Sequence, residues 1–243
     1  GLNARIFNFP ATEVTTGVTR TEVGRSACVT GTLTNPTVDW GTGVPTVSGN
    51  SGTCLADDFM VHATGYLTIP GTYDGSTLTM TFESASDDGT YLALTDPTNS
   101  ASTTVIDNWV VQSSAFPSFN ASGQMVVKAG LTYDVDLWLF DHQGGASFNL
   151  FWHDGPTPVV LPQSALSTVR PLTAQPPLTV GIATGSPTSL TYVNTSVSTQ
   201  LSTTGGDGIG AVSYAKVSGN CTVSATGLLT ATGAGACVAR AAR

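Results

Sequence analysis

Glycine and proline interrupt this chain so often that a long helix has no room to form. The 243 residues include 27 glycines and 13 prolines, and no stretch between them develops the 3.6-residue apolar period of an amphipathic helix. The stretches between them alternate instead. Leu78, Met80 and Phe82 are apolar, whereas positions 77, 79 and 81 are threonines. A period of two is typical of a half-buried strand, so the chain is predicted to be all-β.

Two more strands are predicted near the middle of the chain. Residues 133–140 become apolar on both faces toward their end, as expected for a strand between two packed sheets. Residues 146–152 alternate again. The five residues between these strands, Asp-His-Gln-Gly-Gly at 141–145, are predicted to form a short hairpin-type loop.

A change of composition divides the chain. Residues 169–177 contain three prolines, which predicts a stiff, extended linker. It separates a domain at 1–168 from one at 178–243, where tryptophan is absent and threonine, serine, glycine and alanine dominate. The second domain is interpreted as a smaller immunoglobulin-like β-sandwich, short against the roughly 100 residues usual for that fold. Its last strand pattern runs to the final residue, so the sequence leaves open whether this domain is complete.

The charge of the chain is low in density and negative. Charged residues make up 10% of the sequence and the net charge is −8, against roughly 25% charged residues in typical globular proteins. Lys128 and Lys216 are the only lysines. A nucleic-acid or anionic-membrane partner requires a basic patch, and none is visible.

No run approaches the roughly 18 apolar residues of a membrane span. The start of the chain does not resemble a signal peptide, so a secreted protein is expected to appear here as a mature or excised fragment.

Four cysteines suggest two disulfides. None forms a Cys-x-x-Cys motif, which gives a zinc or redox site little support. Three pairings are possible, and the domain organisation favours Cys28–Cys54 with Cys221–Cys237, because each pair then falls within one domain. Disulfides indicate an extracellular or cell-surface location. The alternative is four buried thiols in a cytosolic protein.

The acidic residues have a pattern of their own, since thirteen of the sixteen are aspartates. Asp87-Asp88-Gly89 lies between two predicted strands and is therefore predicted to form a turn at the end of a sheet. Short carboxylates on a rigid turn suit Ca²⁺, which takes six to eight oxygen ligands. Aspartate and glycine also dominate ordinary hairpin turns, so the residue types alone leave both interpretations open.

Three other features have a structural and a functional interpretation. Asp57-Asp58 lacks a following glycine and is interpreted as the solvated start of a strand. Trp152 is expected to pack in the core. Trp40 and Trp109, near predicted turns, are open candidates for stacking on sugar rings.

Several short motifs occur in a characteristic order over residues 1–168. They are Gly1–Arg5, Gly65–Pro70, Leu78–Phe82 running into Ser86–Gly89, Val105–Trp109, Val126–Tyr133, Phe148–Trp152 and Leu161–Pro162. This ordered set resembles the PA-fourteen (PA14) domain, the carbohydrate-binding β-sandwich named after the anthrax protective antigen. The Gly/Thr/Ala-rich stretch after the linker, with Cys221 and Cys237, resembles the immunoglobulin-like repeats of large bacterial surface adhesins.

The first resemblance implies a calcium site. In lectin-type members, two adjacent aspartates joined by a cis peptide hold one Ca²⁺ together with oxygens of a neighbouring loop, and the ion binds vicinal hydroxyls of a sugar. It implies that Asp87 and Asp88 hold the ion here, with the side chain of Gln143 and the backbone carbonyl of Gly144 from the loop 141–145. That loop departs from the Asn-centred version of the yeast flocculins. The residues implied at the sugar are Asp87, Asp88, Asp141, His142 and Gln143.

Catalytic signatures are absent from the sequence. There is no Gly-x-Ser-x-Gly elbow and no His-Glu-x-x-His motif. The three histidines, His62, His142 and His153, are scattered and are interpreted as surface or packing residues. A glycosidase needs two carboxylates on opposite sides of the scissile bond, which two adjacent aspartates on one turn cannot provide.

The sequence therefore favours a non-enzymatic, calcium-dependent lectin module of a secreted bacterial adhesin. Its expected partners are cell-surface or environmental glycans, and its expected context is a larger multidomain surface protein. Two alternatives stay open. One is a structural or protein-binding module that kept the fold but lost the sugar site, and the other is a carbohydrate-binding appendage of a larger secreted enzyme.

Overall fold

The chain forms two compact units in the computed structural model, Gly1–Thr173 and Ala174–Arg243. The structure describes residues 1–15, 17–72, 76–171, 178–192, 197–204 and 211–242. These residues are mostly strand, and their only helical segments are two single 3-10 turns, Ala11–Glu13 and Gln163–Ala165. The all-β prediction is confirmed. Most of the predicted proline-rich linker, residues 172–177, lies outside the described part of the chain. None of the described helical segments has the length or apolar character needed to cross a membrane.

The first unit is a sandwich of two antiparallel sheets. Its strands are, in chain order, β1 (Leu2–Asn8), β2 (Val29–Leu33), β3 (Thr37–Gly41), β4 (Ser48–Ser51), β5 (Phe59–Thr68), β6 (Thr77–Asp87), β7 (Gly89–Asp96), β8 (Ala101–Asn108), β9 (Ala121–Lys128), β10 (Thr132–Asp141), β11 (Ala146–His153), β12 (Val159–Val160) and β13 (Leu166–Ser167). Among the described residues, the first sheet has the order β4-β2-β1-β5-β10-β7-β8, with β13 also paired to β5. The second sheet has the order β12-β11-β6-β9, with β3 also paired to β11.

The core lies between the two sheets and follows the predicted alternation. On β6, Met80 and Phe82 are buried, and Phe148 and Leu150 of β11 pack in the same cluster. Burial of apolar surface at about 25 cal/mol per Å² is the main stabilising contribution for such a sandwich. The threonines between the apolar residues of β6 point away from this cluster, as a period of two requires.

Strand β10 is buried on both faces, but for a different reason from the one predicted. Leu137 and Leu139 point into the core between the sheets. Trp138 and Phe140 point the other way and pack in a second cluster with Phe9 and with residues of the segment that follows it. The prediction of a strand between two sheets was therefore wrong for the outer face, which is covered by an irregular segment of the chain.

Two connections at one end of the sandwich pass from one sheet to the other. Strand β6 of the second sheet leads through Asp88 alone into β7 of the first sheet. Strand β10 of the first sheet leads through residues 142–145 into β11 of the second sheet. The two connections are neighbours, since Gly89 is paired with Phe140 and Asp87 with Ser147.

The hairpin predicted at 141–145 was therefore wrong, and the turn predicted at Asp87–Gly89 is a corner between sheets, not the ordinary hairpin turn that its residue types left open. Strands β6 and β7 lie in different sheets, and so do β10 and β11. Short polar and glycine-rich sequences are compatible both with a hairpin and with a corner between two sheets. Which of the two forms depends on the sheet that each flanking strand joins, and packing decides that.

The second unit has six described strands. These are β14 (Thr179–Ile182), β15 (Ser198–Thr204), β16 (Ser213–Gly219), β17 (Cys221–Val223), β18 (Leu228–Ala231) and β19 (Cys237–Ala242). In the described residues they form one sheet of order β14-β15-β18-β17 and a two-stranded pair, β16-β19. Leu201 and Cys221 are the buried apolar side chains among the residues of this unit that the structure describes.

Both predicted disulfides are present. Cys28–Cys54 lies within the first unit and Cys221–Cys237 within the second, and no cysteine is left free. In the first unit the bond links the start of β2 to the segment before β5, which is relevant to the site described next.

Candidate functional site

Asp88 lies at the corner between β6 and β7 and joins three segments of the chain. Its carboxylate accepts a hydrogen bond from the backbone N–H of Gln112 at Oδ1 and another from the backbone N–H of His142 at Oδ2, each 2.7 Å long. Its own backbone N–H donates to the carbonyl of Phe140 over 3.1 Å. The side chain is buried, with 3% of Asp88 exposed. The peptide bond between Asp87 and Asp88 is cis, as the resemblance implied.

The carbonyl of Asp88 is held as well. Ser86 Oγ donates to it over 2.7 Å and Gln112 Nε2 over 3.0 Å. The glycine that follows is required by close packing, because a Cβ on Gly89 would overlap the ring of Phe140. The sequence suggested that Gly89 serves a turn. In the structure Gly89 is required instead because the corner is tightly packed against Phe140.

Three carboxylates meet at this corner. Among the described residues, Asp87, Asp88 and Asp141 each place one carboxylate oxygen within 4.8 Å of the others. Asp141 ends β10 and is 1% exposed. Both of its carboxylate oxygens are buried and have no hydrogen-bond partner in the described structure. Ca²⁺ binds oxygen at 2.3–2.6 Å, so ligands on opposite sides of the ion lie up to about 5 Å apart. The cluster therefore has the donor type and the size to hold one such cation.

The electrostatics of the corner favour a cation. Burial, together with the negative charges of Asp88 and Asp57, raises the pKa of Asp141 from 3.8 to about 7. Burial and the charge of Asp88 raise the pKa of Asp87 as well, although the backbone N–H of Ser114 opposes this. Burial also raises the pKa of Asp88 despite its two backbone hydrogen bonds. These carboxyl groups are therefore harder to ionise together in the absence of a positive charge.

No lysine or arginine among the described residues of the first unit supplies such a positive charge. In the described residues of the first unit, those side chains pair with acids elsewhere. The pairs are Arg5–Glu22, Arg20–Asp107, Arg25–Glu13, Lys128–Asp96 and Arg170–Asp134. A divalent cation would therefore be the natural counter-charge for the carboxylates at the corner.

The ligands predicted in the loop 141–145 differ from one another in their surroundings. The side chain of Gln143 is exposed. Gly144 has a φ of +99° and donates its backbone N–H to Asp57 Oδ1 over 3.2 Å. The roles of Gln143 and of the Gly144 carbonyl as ligands stay predictions. Asp141, a weaker candidate in the sequence, is the loop residue whose carboxylate joins the aspartate pair.

Asp57 and Asp58 directly precede β5 and Asp57 is exposed, as predicted for the solvated start of a strand. That interpretation did not include the contacts that both residues make with the loop 141–145. Asp58 Oδ1 lies 2.6 Å from His142 Nδ1, and its backbone N–H donates to the His142 carbonyl over 3.1 Å. The residues are adjacent because Phe59 of β5 is paired with Asp141 of β10. No local pattern reports that pairing, since β5 ends at Thr68 and β10 begins only at Thr132.

The segment between β8 and β9 was also missed. Besides Gln112 and Ser114, it contributes Asn120, whose Oδ1 accepts hydrogen bonds from the backbone N–H groups of Ser86 and Ala115, 2.8 and 3.2 Å long. Asn120 thereby fixes this segment to β6 beside the aspartates. Its sequence has no feature that distinguishes it from an ordinary polar loop.

The tryptophans are packed rather than free. Trp40 donates its indole N–H to the carbonyl of Thr46 over 3.0 Å, and Trp109 donates to that of Val18 over 2.6 Å. Trp152 is buried in the core, as predicted. Trp40 nevertheless lines a narrow cavity together with Asp87 and Asp141, so its edge is part of the wall of the site.

Comparison with solved structures shows a likeness of fold. One is an anti-sigma factor domain-containing protein from Clostridium clariflavum, 20% identical with a TM-score of 0.50, in a match that covers 70% of this chain and 48% of that one. A second anti-sigma factor domain-containing protein is 24% identical with a TM-score of 0.49, over 74% and 53% of the two chains. A PA14 sugar-binding domain from an RTX adhesin is 14% identical with a TM-score of 0.48, over 69% and 98%.

The present chain thus spans about half the length of the two anti-sigma factor domain-containing proteins. No protein-family model matches its sequence, and no curated protein matches it. The likeness to the Clostridium clariflavum protein concerns the fold alone, and the interpretation of the site depends on its own residues.

Proposed function

We propose that the chain is a calcium-dependent carbohydrate-binding module of a secreted bacterial adhesin. The observation that carries the proposal is the buried carboxylate of Asp141. Both of its oxygens lack a partner, and it lies with Asp87 and Asp88 in a group of the size that one Ca²⁺ needs. A buried, unpaired carboxylate is costly, and coordination of a metal ion is one of the ways in which proteins compensate for it.

Three carboxylates would hold the ion, and the loop 141–145 would complete its oxygen ligands. Gln143 and the carbonyl of Gly144 are the candidates in that loop. Asp88 has a second task, since its hydrogen bonds to Gln112 and His142 keep the two flanking segments at the corner. When bound, Ca²⁺ would supply open coordination positions for two vicinal hydroxyls of a sugar.

A site of this kind suits adhesion through many weak contacts. Two hydroxyls compete with water for the ion, so a single contact is expected to be weak. Linked copies gain affinity through effective concentration, which fits a module of a larger multidomain surface protein. The two disulfides support an extracellular or cell-surface location. No catalytic step is assigned to the chain.

The proposal is tested by calorimetric titration of chelator-treated protein with Ca²⁺, followed by a glycan array with and without chelator. We expect stoichiometric Ca²⁺ binding and glycan signals that disappear in chelator. Asp87→Asn is expected to lose both. The matched control is Asp154→Asn, which removes one exposed charge just beyond His153, at the other end of β11. Six residues of strand separate His153 from Ser147, about 20 Å.

The outcomes separate the alternatives. Glycan binding that persists in chelator, or in Asp87→Asn, contradicts the calcium mechanism. Absence of both Ca²⁺ and glycan binding favours the structural or protein-binding module. A carbohydrate-binding appendage of a larger enzyme would use the same site. The full-length gene product distinguishes it from an adhesin module, because only the appendage is joined to an enzyme domain.

A further inference from the structure

We infer that Asp57 and Asp58 are positioning residues for the ion site. The pair would hold the loop 141–145 in the conformation that presents its oxygens to the cation, without touching the ion itself. This inference deepens the proposed function and rests on it. It begins from hydrogen bonds that connect β5 to the loop, and it concerns residues that lie outside the carboxylate group of the site.

The loop needs support from outside. Gly144 and Gly145 have no side chains, and a Cβ at either would meet no atom within 4 Å. Glycine also loses more conformational freedom on ordering than any other residue. A loop with two adjacent, open glycines therefore has little to keep it in one conformation. If the ion itself had to order the loop, the free-energy cost of that ordering would weaken the binding of the ion.

Asp58 supplies the first part of this support. It bonds His142 twice, with its carboxylate 2.6 Å from Nδ1 and with its backbone N–H 3.1 Å from the carbonyl. The backbone N–H of the same histidine donates to Asp88 Oδ2 over 2.7 Å. His142 is thus held between Asp58 on one side and an ion-site carboxylate on the other. A chain of hydrogen bonds leads from β5 to the site.

Asp57 supplies the second part. Its Oδ1 accepts the backbone N–H of Gly144 over 3.2 Å. Gly144 has a φ of +99°. Glycine adopts this backbone conformation without steric penalty, but it adopts conformations with negative φ about as readily. The hydrogen bond to Asp57 therefore restrains a residue that has little preference of its own. With Asp58 on His142 and Asp57 on Gly144, both residues that flank Gln143 are fixed.

The pair is itself firmly anchored. Phe9 donates its backbone N–H to the carbonyl of Asp58 over 2.8 Å. Leu55 donates to Asn8 Oδ1 over 3.3 Å, and the adjacent Cys54 is bonded to Cys28. The support for the loop therefore extends back to β1 and to the covalent link, which makes it rigid enough to position the residues that it touches.

Charge is the competing explanation for any effect of these residues on the ion. Asp57 and Asp58 add negative charge near Asp141 and would attract a cation even if they positioned nothing. An asparagine keeps an oxygen that accepts the bond from His142 or Gly144 and loses the charge, whereas glycine or alanine loses both. Asp58 has a φ of +56°, which asparagine tolerates and glycine adopts freely, so neither replacement adds backbone strain.

The experiment compares Asp58→Asn with Asp58→Gly, and Asp57→Asn with Asp57→Ala, with Asp154→Asn and Asp154→Ala as exposed controls. Calcium affinity is measured by calorimetry, and amide exchange of His142 and Gly144 is measured by NMR in chelator. We expect Asp58→Gly to weaken calcium binding about 10- to 100-fold and to speed amide exchange in the loop. The asparagine variants should retain most of the affinity and the slow exchange, and the controls should match the parent.

Equal losses in the asparagine and the glycine or alanine variants would overturn the inference in favour of a charge effect. Unchanged amide exchange in Asp58→Gly and Asp57→Ala would overturn it directly. If the parent protein binds no Ca²⁺ but exchange in the loop still rises in these variants, the proposed function fails while the positioning of the loop stands. If Asp58→Gly does not fold, the Asp57 variants alone decide, since Asp57 is exposed and makes a single bond to the loop.

Discussion

Two groups of acidic side chains in the first unit are satisfied in opposite ways. On the outer face of the first sheet, Glu22 and Asp136 flank His62, with oxygens 2.7 Å from Nδ1 and 3.0 Å from Nε2. Arg5 also pairs with Glu22. His62 stacks on Trp138 with ring centroids 3.9 Å apart. Every acid in this group has a basic partner from the same chain.

At the corner between β6 and β7, backbone N–H groups donate to Asp88, but no lysine or arginine among the described residues balances the charge of the three aspartates. Asp87, Asp88 and Asp141 lie within 4.8 Å of each other. Burial raises the pKa of all three, and the charges of neighbouring carboxylates raise it further at Asp87 and Asp141. The contrast teaches that acids withdrawn from solvent become part of the scaffold where the chain provides the counter-charge. Where it does not, they are available to an external cation.

The largest expected effect comes from removing an acid at the corner. Asp88→Ala deletes a carboxylate that would bind the ion and that also accepts bonds from Gln112 and His142. We expect calcium affinity to fall by at least about 100-fold, since ligand charge and supporting hydrogen bonds both determine affinity. Calorimetric titration measures it. Glu22→Gln is the comparison, and an equal loss in that variant would erase the distinction between the two groups.

The second prediction concerns the sign of a stability change. Above its pKa of about 7, Asp141 carries a buried charge that has no partner without the ion. At such a pH we expect Asp141→Asn to make the ion-free protein more stable by about 2 kcal/mol. With saturating Ca²⁺ the same change should destabilise, because stabilisation by a bound ion follows its affinity. Urea denaturation in chelator and in Ca²⁺ measures both. Changes of the same sign in the two conditions would contradict the assignment of Asp141 to the ion.

The third prediction concerns the paired group. Glu22→Gln breaks the charge-assisted contacts with His62 and Arg5, and we expect a loss of about 1 kcal/mol in the free energy of unfolding. The loss should be the same in chelator and in Ca²⁺, because this group has no part in binding the ion. A loss that depends on Ca²⁺ would show that the two groups are coupled.

The smallest expected effect is a pH dependence at His62. Burial alone would lower the pKa of His62, but the hydrogen bonds and charges of Asp136 and Glu22 outweigh it and raise the pKa above 6.5. Arg5, paired with His62 across β1 and β5, is the nearby like charge. The stabilisation is therefore fully present below pH 6.5 and is lost as the pH rises through the folded-state pKa.

Replacement by a residue that does not titrate tests this sign. His62→Gln is expected to lower the free energy of unfolding by about 0.5–1 kcal/mol at pH 6, and the difference should shrink toward pH 9. Denaturation of both proteins across that range measures it. A difference that grows with pH would contradict the sign. The control variant is His153→Gln, at a histidine of the second sheet whose Nε2 lies 3.5 Å from Glu83 Oε2.

Parts of the site could be predicted from the sequence because they are local. Asp87 and Asp88 are adjacent in the chain, and the ordered motifs around them resemble a family in which such a pair holds Ca²⁺. Asp141 could be placed in the neighbouring loop but not ranked, because its distinction is burial without a partner. Asp57 and Asp58 could not be recognised at all, since what connects them to the site is the pairing of β5 with β10.

By itself, the sequence determined the all-β class, the alternating core and the pairs of cysteines. These depend on residue periodicity and on the division of the chain into domains, which are local or compositional properties. Only the tertiary structure decided that Asp87–Gly89 and the loop 141–145 are corners between two sheets rather than hairpins. The physical reason is that each flanking strand joins the sheet in which its apolar face is buried. That choice depends on partners far away in the chain, and it is what brings the aspartates of three segments to one place.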